Sequence, residues 1–463
     1  MPDADCPRIV IAGAHSGVGK TSMALGLSAA LTKRGLKVQT YKAGPDFLDP
    51  TYLKIASGRP CYNLDAWMMG QDYVRSLFQK TSASADIAVI EGAMGLFDGF
   101  SPESSEGSTA QIAKWLKAPV ALVANAGGAS RSFAALVEGY ARFEPDVRIK
   151  GVIANFCGSK NHSDLLRRAI NSHLSSKYLG GVVKGAAPKL DSRHLGLVTA
   201  KDTLTQNMVD ELAVVVEEYL SVKDIIDMAR TAPGFKAGEM DVNREETKAR
   251  LGVARDKAFE FYYTDNLEAL SASGFEIVEF SPTCDRRLPE ELDALFIGGG
   301  YPEECADELS ENVSMQNDIR NFADSGLPVY AECGGLMYLS RGIEDINGKK
   351  NPMVGLLPAW TKMRQRFTAL GYVEASFEEN SLFGKASETI RGHKFHYSEL
   401  TNDPADNDGW RTVYSLKRKR DGKTFSEGYS RGGVLASYAH LHFASRPLSL
   451  RRFINSCMEA NMS

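Results

Sequence analysis

Two stretches of this chain hold residues whose types and spacing suit chemistry. Near the start, the apolar residues 8–14 run into Gly13-Ala14-His15-Ser16-Gly17-Val18-Gly19-Lys20-Thr21. A glycine-rich loop between a strand and a helix points backbone N–H groups inward, where they cradle phosphates. In such a loop Gly17 and Gly19 make the turn, Lys20 reaches the transferred phosphate and the Thr21 hydroxyl binds Mg²⁺. The first glycine stands one position early, with Ala14 where the usual pattern has Gly. A glycine turn without a ligand is the plain alternative. Strand, GxGKT and helix in register argue against it.

The second stretch is Leu327-Pro328-Val329-Tyr330-Ala331-Glu332-Cys333-Gly334-Gly335-Leu336-Met337. A buried strand that ends on a cysteine and turns sharply through two glycines has the form of a nucleophile elbow. A cysteine after a strand is more often a core residue, but a core residue has no use for the glycine pair. The partner base would come from Ser437-Tyr438-Ala439-His440-Leu441-His442, where two of the eight histidines stand close together. His440 and His442 share a face of any strand, so spacing does not choose between them. Gly298-Gly299-Gly300 follows another apolar run, and the N–H groups of Gly299, Gly300 and Gly334 are candidate oxyanion donors. Loss of one such donor typically costs about 10²–10³ in rate.

Further charged residues follow two strands of the front half. Lys42-Ala43-Gly44-Pro45-Asp46-Phe47-Leu48-Asp49 and Glu91-Gly92-Ala93-Met94-Gly95-Leu96-Phe97-Asp98 place one cation and four carboxylates at strand ends. The C-terminal edge of a parallel sheet is where its ligands bind. Four acids at two strand ends beside a phosphate loop, Asp46, Asp49, Glu91 and Asp98, suit Mg²⁺–ATP work. Any one of these acids alone would pass for a solvated turn residue. Asn155, closing another strand, serves either to read an adenine edge or to hold a turn.

The elements that position these groups alternate strand with helix. Residues 8–14, 37–41, 87–91, 120–125 and 151–155 read as buried strands, with helical spacing between them and again at 201–227. The alternation restarts at 253–261, 275–280, 294–297 and 328–332. The expected fold is therefore α/β, with two α/β domains, the first built on a parallel sheet. Residues 1–230 form the phosphate-binding domain, the Gly- and Pro-containing stretch 231–249 a linker, and residues 250–463 the cysteine domain.

A chain of 463 residues is long enough for two or three such domains. Its net charge of −4 gives no electrostatic case for nucleic acid or a membrane surface. No apolar run approaches the ~18 residues of a membrane span. Seven scattered cysteines without a CxxC pair argue against a disulfide framework or zinc site. A cytoplasmic protein is the expectation.

Taken in order, the phosphate loop, KAGPDFLDPTY, EGAMGLFDG, Arg193-His194-Leu195-Gly196-Leu197-Val198, GGGYPE, AECGGLMYL, Arg391-Gly392-His393-Lys394-Phe395-His396-Tyr397-Ser398 and SYAHLHFAS resemble the cobyrinate a,c-diamide synthase family over essentially the whole chain. The resemblance implies a dethiobiotin-synthetase-like ATP domain joined to a class I-like glutamine amidotransferase domain. It implies ATP and Mg²⁺ as cofactors, glutamine and a corrinoid tetrapyrrole as small-molecule partners, and a homodimer through the phosphate-loop domain. Carried over by position, Cys333 is the glutaminase nucleophile and His440 its partner. By the same carry-over Lys20, Thr21, Asp46 and Glu91 fall on the nucleotide and magnesium motifs, and Asp49 and Asp98 fall in motifs with substrate or metal roles. Lys42, Arg193 and His194 become candidates for holding an anionic tetrapyrrole. In the wider glutaminase class an acid stands two residues after the histidine, and here that position is His442. The member that orients His440 is therefore open.

Two rival readings fit the same residues. Nickel-sirohydrochlorin or hydrogenobyrinic acid would take the same chemistry. A P-loop switch ATPase with a degenerate regulatory module is the alternative of another class. His15, standing where partition-type ATPases carry an extra lysine, argues against the switch.

Overall fold

The computed structural model describes residues 5–189, 206–238 and 245–460. They divide into two compact units, one ending before residue 242 and one beginning there.

The first unit is built on a seven-stranded, wholly parallel sheet. Its strands are β1 (Arg8–Gly13), β2 (Val38–Ala43), β3 (Tyr62–Leu64), β4 (Ile87–Gly95), β5 (Val120–Asn125), β6 (Ile149–Cys157) and β7 (Lys177–Val183), in the spatial order 3-2-4-1-5-6-7. Continuous apolar runs such as Ile9-Val10-Ile11-Ala12 are fully buried, as strands covered on both faces must be. β1 lies mid-sheet between β4 and β5, which places the loop after it at the switch point where such sheets bind ligands. The helix Lys20–Lys33 packs closely on Gln206–Tyr219. A Cβ on Gly26 would stand 2.6 Å from the Leu212 carbonyl, so only glycine permits that approach.

The described start of the expected linker is packed, not loose. The Arg8 guanidinium donates to the Pro233 carbonyl and stacks over the Phe235 ring at 4.9 Å, and Ser76 donates to Gly238 O. Phe235 is the reason. One buried aromatic in a short Gly/Pro segment supplies enough apolar area to hold the segment against its own unit.

The second unit has a ten-stranded mixed sheet. Its parallel part contains β8 (Ala249–Ala254), β9 (Phe275–Phe280), β10 (Ala294–Ile297) and β11 (Val329–Glu332). After β11 come β12 (Ser340–Glu344), β13 (Lys350–Pro352), β14 (Leu357–Met363), β15 (Ala369–Phe377), β16 (Thr389–His396) and β17 (Ser398–Leu400). The last are β18 (Arg411–Arg418), β19 (Thr424–Arg431), β20 (Val434–Ser437) and β21 (His440–Leu441). The large sheet runs 21-16-15-18-19-20-11-10-8-9, and β13-β12-β14-β17 form a small one. β20 pairs in parallel with β11, although about a hundred residues separate them.

One expected strand is shorter than the sequence suggested. Residues 253–261 do not form a single strand, because β8 ends at Ala254. Asp256 then accepts from the N–H of Ala258 and turns the chain.

Candidate active site

In the first unit, the phosphate loop is shaped by glycines and supported from below. Gly17 and Gly19 have φ of 80° and 88°, a region that suits glycine. A Cβ at Gly19 would also lie 2.3 Å from Asn155 Nδ2. Asn155 is buried, donating to Val18 O at 2.8 Å and accepting from Phe156 N at 2.9 Å. The two roles open for it in the sequence thus meet a geometry in which its amide holds the loop.

At the end of β4, Glu91 is fully buried and accepts the Thr21 hydroxyl at 2.6 Å on Oε1. Lys42 Nζ lies 3.1 Å from that same oxygen and 2.5 Å from Asp49 Oδ2, with both Lys42 and Asp49 about 2% exposed. Lys42 and Asp49 are therefore paired inside the sheet edge. Burial works against the Lys42 charge, but Asp49 and Glu91 outweigh it and hold the ammonium protonated. Burial, then the nearby Asp49 carboxylate, push the Glu91 carboxyl up to about 7, with Lys42 pulling the other way. Asp46 caps the turn, its Oδ1 accepting from Leu48 N at 2.9 Å. Asp98 accepts from Gly95 N at 2.9 Å and lines a surface pocket with Phe97, Phe100 and Phe143. Arg193 and His194 lie outside the described residues.

Glu91 Oε2 is buried without a hydrogen-bond partner. An orphaned carboxylate oxygen beside the Thr21 hydroxyl fits a hard divalent cation. Among the described residues no cluster of three or more His, Cys, Asp or Glu could hold a metal by itself. Mg²⁺ needs no such cluster, since it usually keeps several waters and shares one or two protein ligands with phosphate.

In the second unit, β11 ends at Glu332 and Cys333 follows with φ 47° and ψ −99°, a strained conformation for a residue with a side chain. Its N–H donates to Ser437 O at 2.7 Å, which ties the elbow to the end of β20. The glycines after it are steric requirements. A Cβ on Gly335 would stand 2.0 Å from the Ile297 carbonyl, and one on Gly334 would stand 3.0 Å from the Gly300 nitrogen. The candidate oxyanion donors Gly300 and Gly334 thus lie side by side, while the N–H of Gly298 is taken by the Tyr262 hydroxyl at 2.8 Å.

From Ser437 only two residues remain before His440. That turn is clamped by Glu427, which accepts from Ser437 Oγ at 2.8 Å and Tyr438 N at 2.6 Å and is itself paired with the buried Lys394. His440 is 1% exposed and stacks on His393 with ring centroids 5.0 Å apart. It lies so near Gly299 that a Cβ there would be 2.4 Å from its Cε1. Its Nδ1 is 3.5 Å from Glu332 Oε2. The other Glu332 oxygen accepts the Tyr330 hydroxyl at 2.5 Å and Leu441 N at 3.0 Å. Burial alone would discharge the imidazole. Cys333 and Glu332 outweigh burial and push His440 up to about 9.

His442 goes elsewhere. Its Nε2 is 3.3 Å from Asp265 Oδ2 and its ring packs on Tyr263. Two histidines that spacing left equivalent are separated by their neighbours. Glu332 escaped the sequence reading, which sought the third group after the histidine. The available signal was a carboxylate in an otherwise apolar strand, directly before the cysteine.

The two units match two described domain families. Residues 9–197 match the CobQ/CobB/MinD/ParA nucleotide binding domain, and residues 250–448 match the CobB/CobQ-like glutamine amidotransferase domain. The fold and these domains define a nucleotide-binding, glutamine-dependent amidating ligase. Among curated proteins, cobyrinate a,c-diamide synthase of Syntrophotalea carbinolica is 51% identical, covering 98% of this chain and 99% of that protein. The proteins of that name from Leptospira interrogans (strain Fiocruz L1-130) and Archaeoglobus fulgidus are 43% and 41% identical, each covering 98% of both chains. The chain belongs to the cobyrinate a,c-diamide synthase family. A solved glutamine amidotransferase aligns with 45% of this chain at 20% identity and a TM-score of 0.34.

Proposed function

We propose that this chain amidates the a and c acetate carboxylates of cobyrinic acid, using ATP and glutamine, in cobalamin biosynthesis. The observation that carries the reading is the pairing of two sites in one chain: Cys333 with His440 and Glu332, and Thr21 with Glu91 beside the phosphate loop. The names of its full-length relatives supply the substrate.

A carboxylate does not condense with ammonia unaided, because its oxygen leaves poorly. In this reading the substrate carboxylate attacks the γ-phosphorus of ATP, giving an acyl phosphate and ADP. Lys20 and the loop N–H groups position the phosphates and offset charge, the main protein contribution to such transfers. When bound, Mg²⁺ would supply charge neutralisation between phosphates, held by Thr21 and Glu91, with Asp46 nearby. Lys42 and Asp49, locked together, set the charge of that edge.

In the second unit the Cys333 sulfur attacks the glutamine side-chain carbonyl, with Gly299, Gly300 and Gly334 offering N–H groups to the oxyanion. His440 gives a proton to the departing nitrogen, and ammonia leaves a glutamyl thioester. Water then hydrolyses the thioester to glutamate. The ammonia displaces phosphate from the acyl phosphate and forms the amide. None of the seven cysteines is in a disulfide, which suits a cytoplasmic enzyme. Among the described residues no helix is long and apolar enough to cross a membrane.

The test is mass spectrometry of products formed with Mg²⁺–ATP, glutamine and cobyrinic acid, alongside Cys333→Ala. Two hydroxyl-to-amino exchanges are expected, lost in the variant with glutamine and restored with ammonia. Untouched cobyrinic acid, with nickel-sirohydrochlorin or hydrogenobyrinic acid amidated instead, would sink the assigned substrate. No amidation of any of the three would sink the reading.

A further inference from the structure

Glu303 stands three residues beyond Gly300, in the 3₁₀ turn Pro302–Cys305. That turn packs on the elbow, with Pro302 Cδ only 3.0 Å from where a Gly334 Cβ would be. The residue is half-buried, yet its Oε2 is closed off from solvent and has no hydrogen-bond partner. No ion pair among the described residues involves it. Burial pushes its carboxyl up to about 8, with no neighbouring cation offsetting the effect.

A bare carboxylate oxygen in such a place is costly unless a ligand satisfies it. Surface turns offer the chain many cheaper positions for an acid. The ligand expected beside Cys333 is glutamine, whose reacting amide is joined by a short carbon chain to an ammonium group. An ammonium offers three N–H donors and no acceptor, the complement of an unpartnered carboxylate. The oxyanion loop would fix the amide end, and the turn that continues that loop, packed on the elbow through Pro302, carries Glu303.

We infer that Glu303 receives the α-ammonium group of glutamine and so makes the glutaminase site selective for an amino acid over a simple amide. The inference rests on the glutaminase reading above. Glu303 touches no reacting atom in this role; it is a specificity residue.

The experiment compares glutamine with 4-carbamoylbutanoate, which has the same amide and carboxylate but no ammonium. Hydrolysis of each is followed in the full-length wild type, Glu303→Gln and Glu303→Asp. Hydrogen bonds to charged groups correspond to about 10- to 100-fold. Glu303→Gln should raise the glutamine KM by about that factor while leaving kcat/KM for 4-carbamoylbutanoate within about twofold. Glu303→Asp, which keeps the charge, should retain part of the preference. The unchanged rate on the analogue also shows that the variant's site is folded. Should Glu303→Gln fail to fold, Glu303→Asp carries the test, and an unmoved preference there overturns the inference. Equal losses on both compounds, or an unmoved preference in Glu303→Gln, also overturn it. A wild type that hydrolyses neither compound would overturn the glutaminase reading itself, a result distinct from an active wild type indifferent to Glu303.

Discussion

Nδ1 of His440 lies 3.5 Å from Oε2 of Glu332, the residue immediately before Cys333. One strand end therefore carries both Cys333, the proposed nucleophile, and the carboxylate beside His440. The Tyr330 hydroxyl and the Leu441 N–H occupy the other Glu332 oxygen, so the carboxylate has little freedom to turn away. This follows the logic of a triad in which the acid orients the imidazole and stabilises its charged form.

Glu332→Gln keeps the shape and removes the charge. Glutamine hydrolysis should fall by about 10²–10⁴-fold, the usual worth of general acid–base assistance, while ammonia-driven amidation persists. The pH profile gives a second readout. Glu332 helps hold His440 protonated up to about 9, so its loss should move the basic limb of the profile to lower pH. A basic limb that stays in place while the rate drops would mean that Glu332 serves only packing.

Cys333 sits at φ 47°, and strain of this kind costs on the order of 1–3 kcal/mol. Alanine inherits the strain and glycine does not. Cys333→Gly should therefore resist chemical denaturation better than Cys333→Ala, by about 1 kcal/mol, with both inactive toward glutamine. Equal stability of the two variants would remove strain from the account of the elbow.

Glu91 gives a pH-dependent prediction for the first unit. Its folded value, about 7, lies above the ordinary glutamate value of 4.5, because burial and Asp49 disfavour the carboxylate. The group thus favours folding below about pH 4.5, and that contribution is lost as pH rises through 7. Glu91→Gln cannot ionise and escapes the loss. Without ligands, the variant should gain thermal stability relative to wild type between pH 5 and pH 8.5, and it should lose Mg²⁺–ATP-dependent activity. A stability difference independent of pH would show that Glu91 does not carry this strain.

Much of both sites was legible because it is written in local geometry. A phosphate loop and a nucleophile elbow are each a strand, a few glycines and a helix start, all contiguous in the chain. Steric facts known only from the fold, such as the 2.0 Å a Gly335 Cβ would leave to Ile297 O, agree with the glycines that marked these turns. The start of the linker segment is the opposite case. Its composition is that of a loose segment, and only the pocket formed by Arg8 and Phe78 shows why Phe235 holds it down.

By itself, then, the sequence determined where a phosphate-loop motif and a cysteine elbow stand, and that two α/β units carry them. The tertiary structure decided which histidine and which carboxylate join Cys333, and that Lys42 is paired inside the sheet edge. The reason is sheet order. β20 lies beside β11 across a hundred residues of chain, so the turn after Ser437 delivers His440 to the elbow, while His442, two residues on, meets Asp265. A pairing made at that separation leaves no periodic trace in the residues that make it.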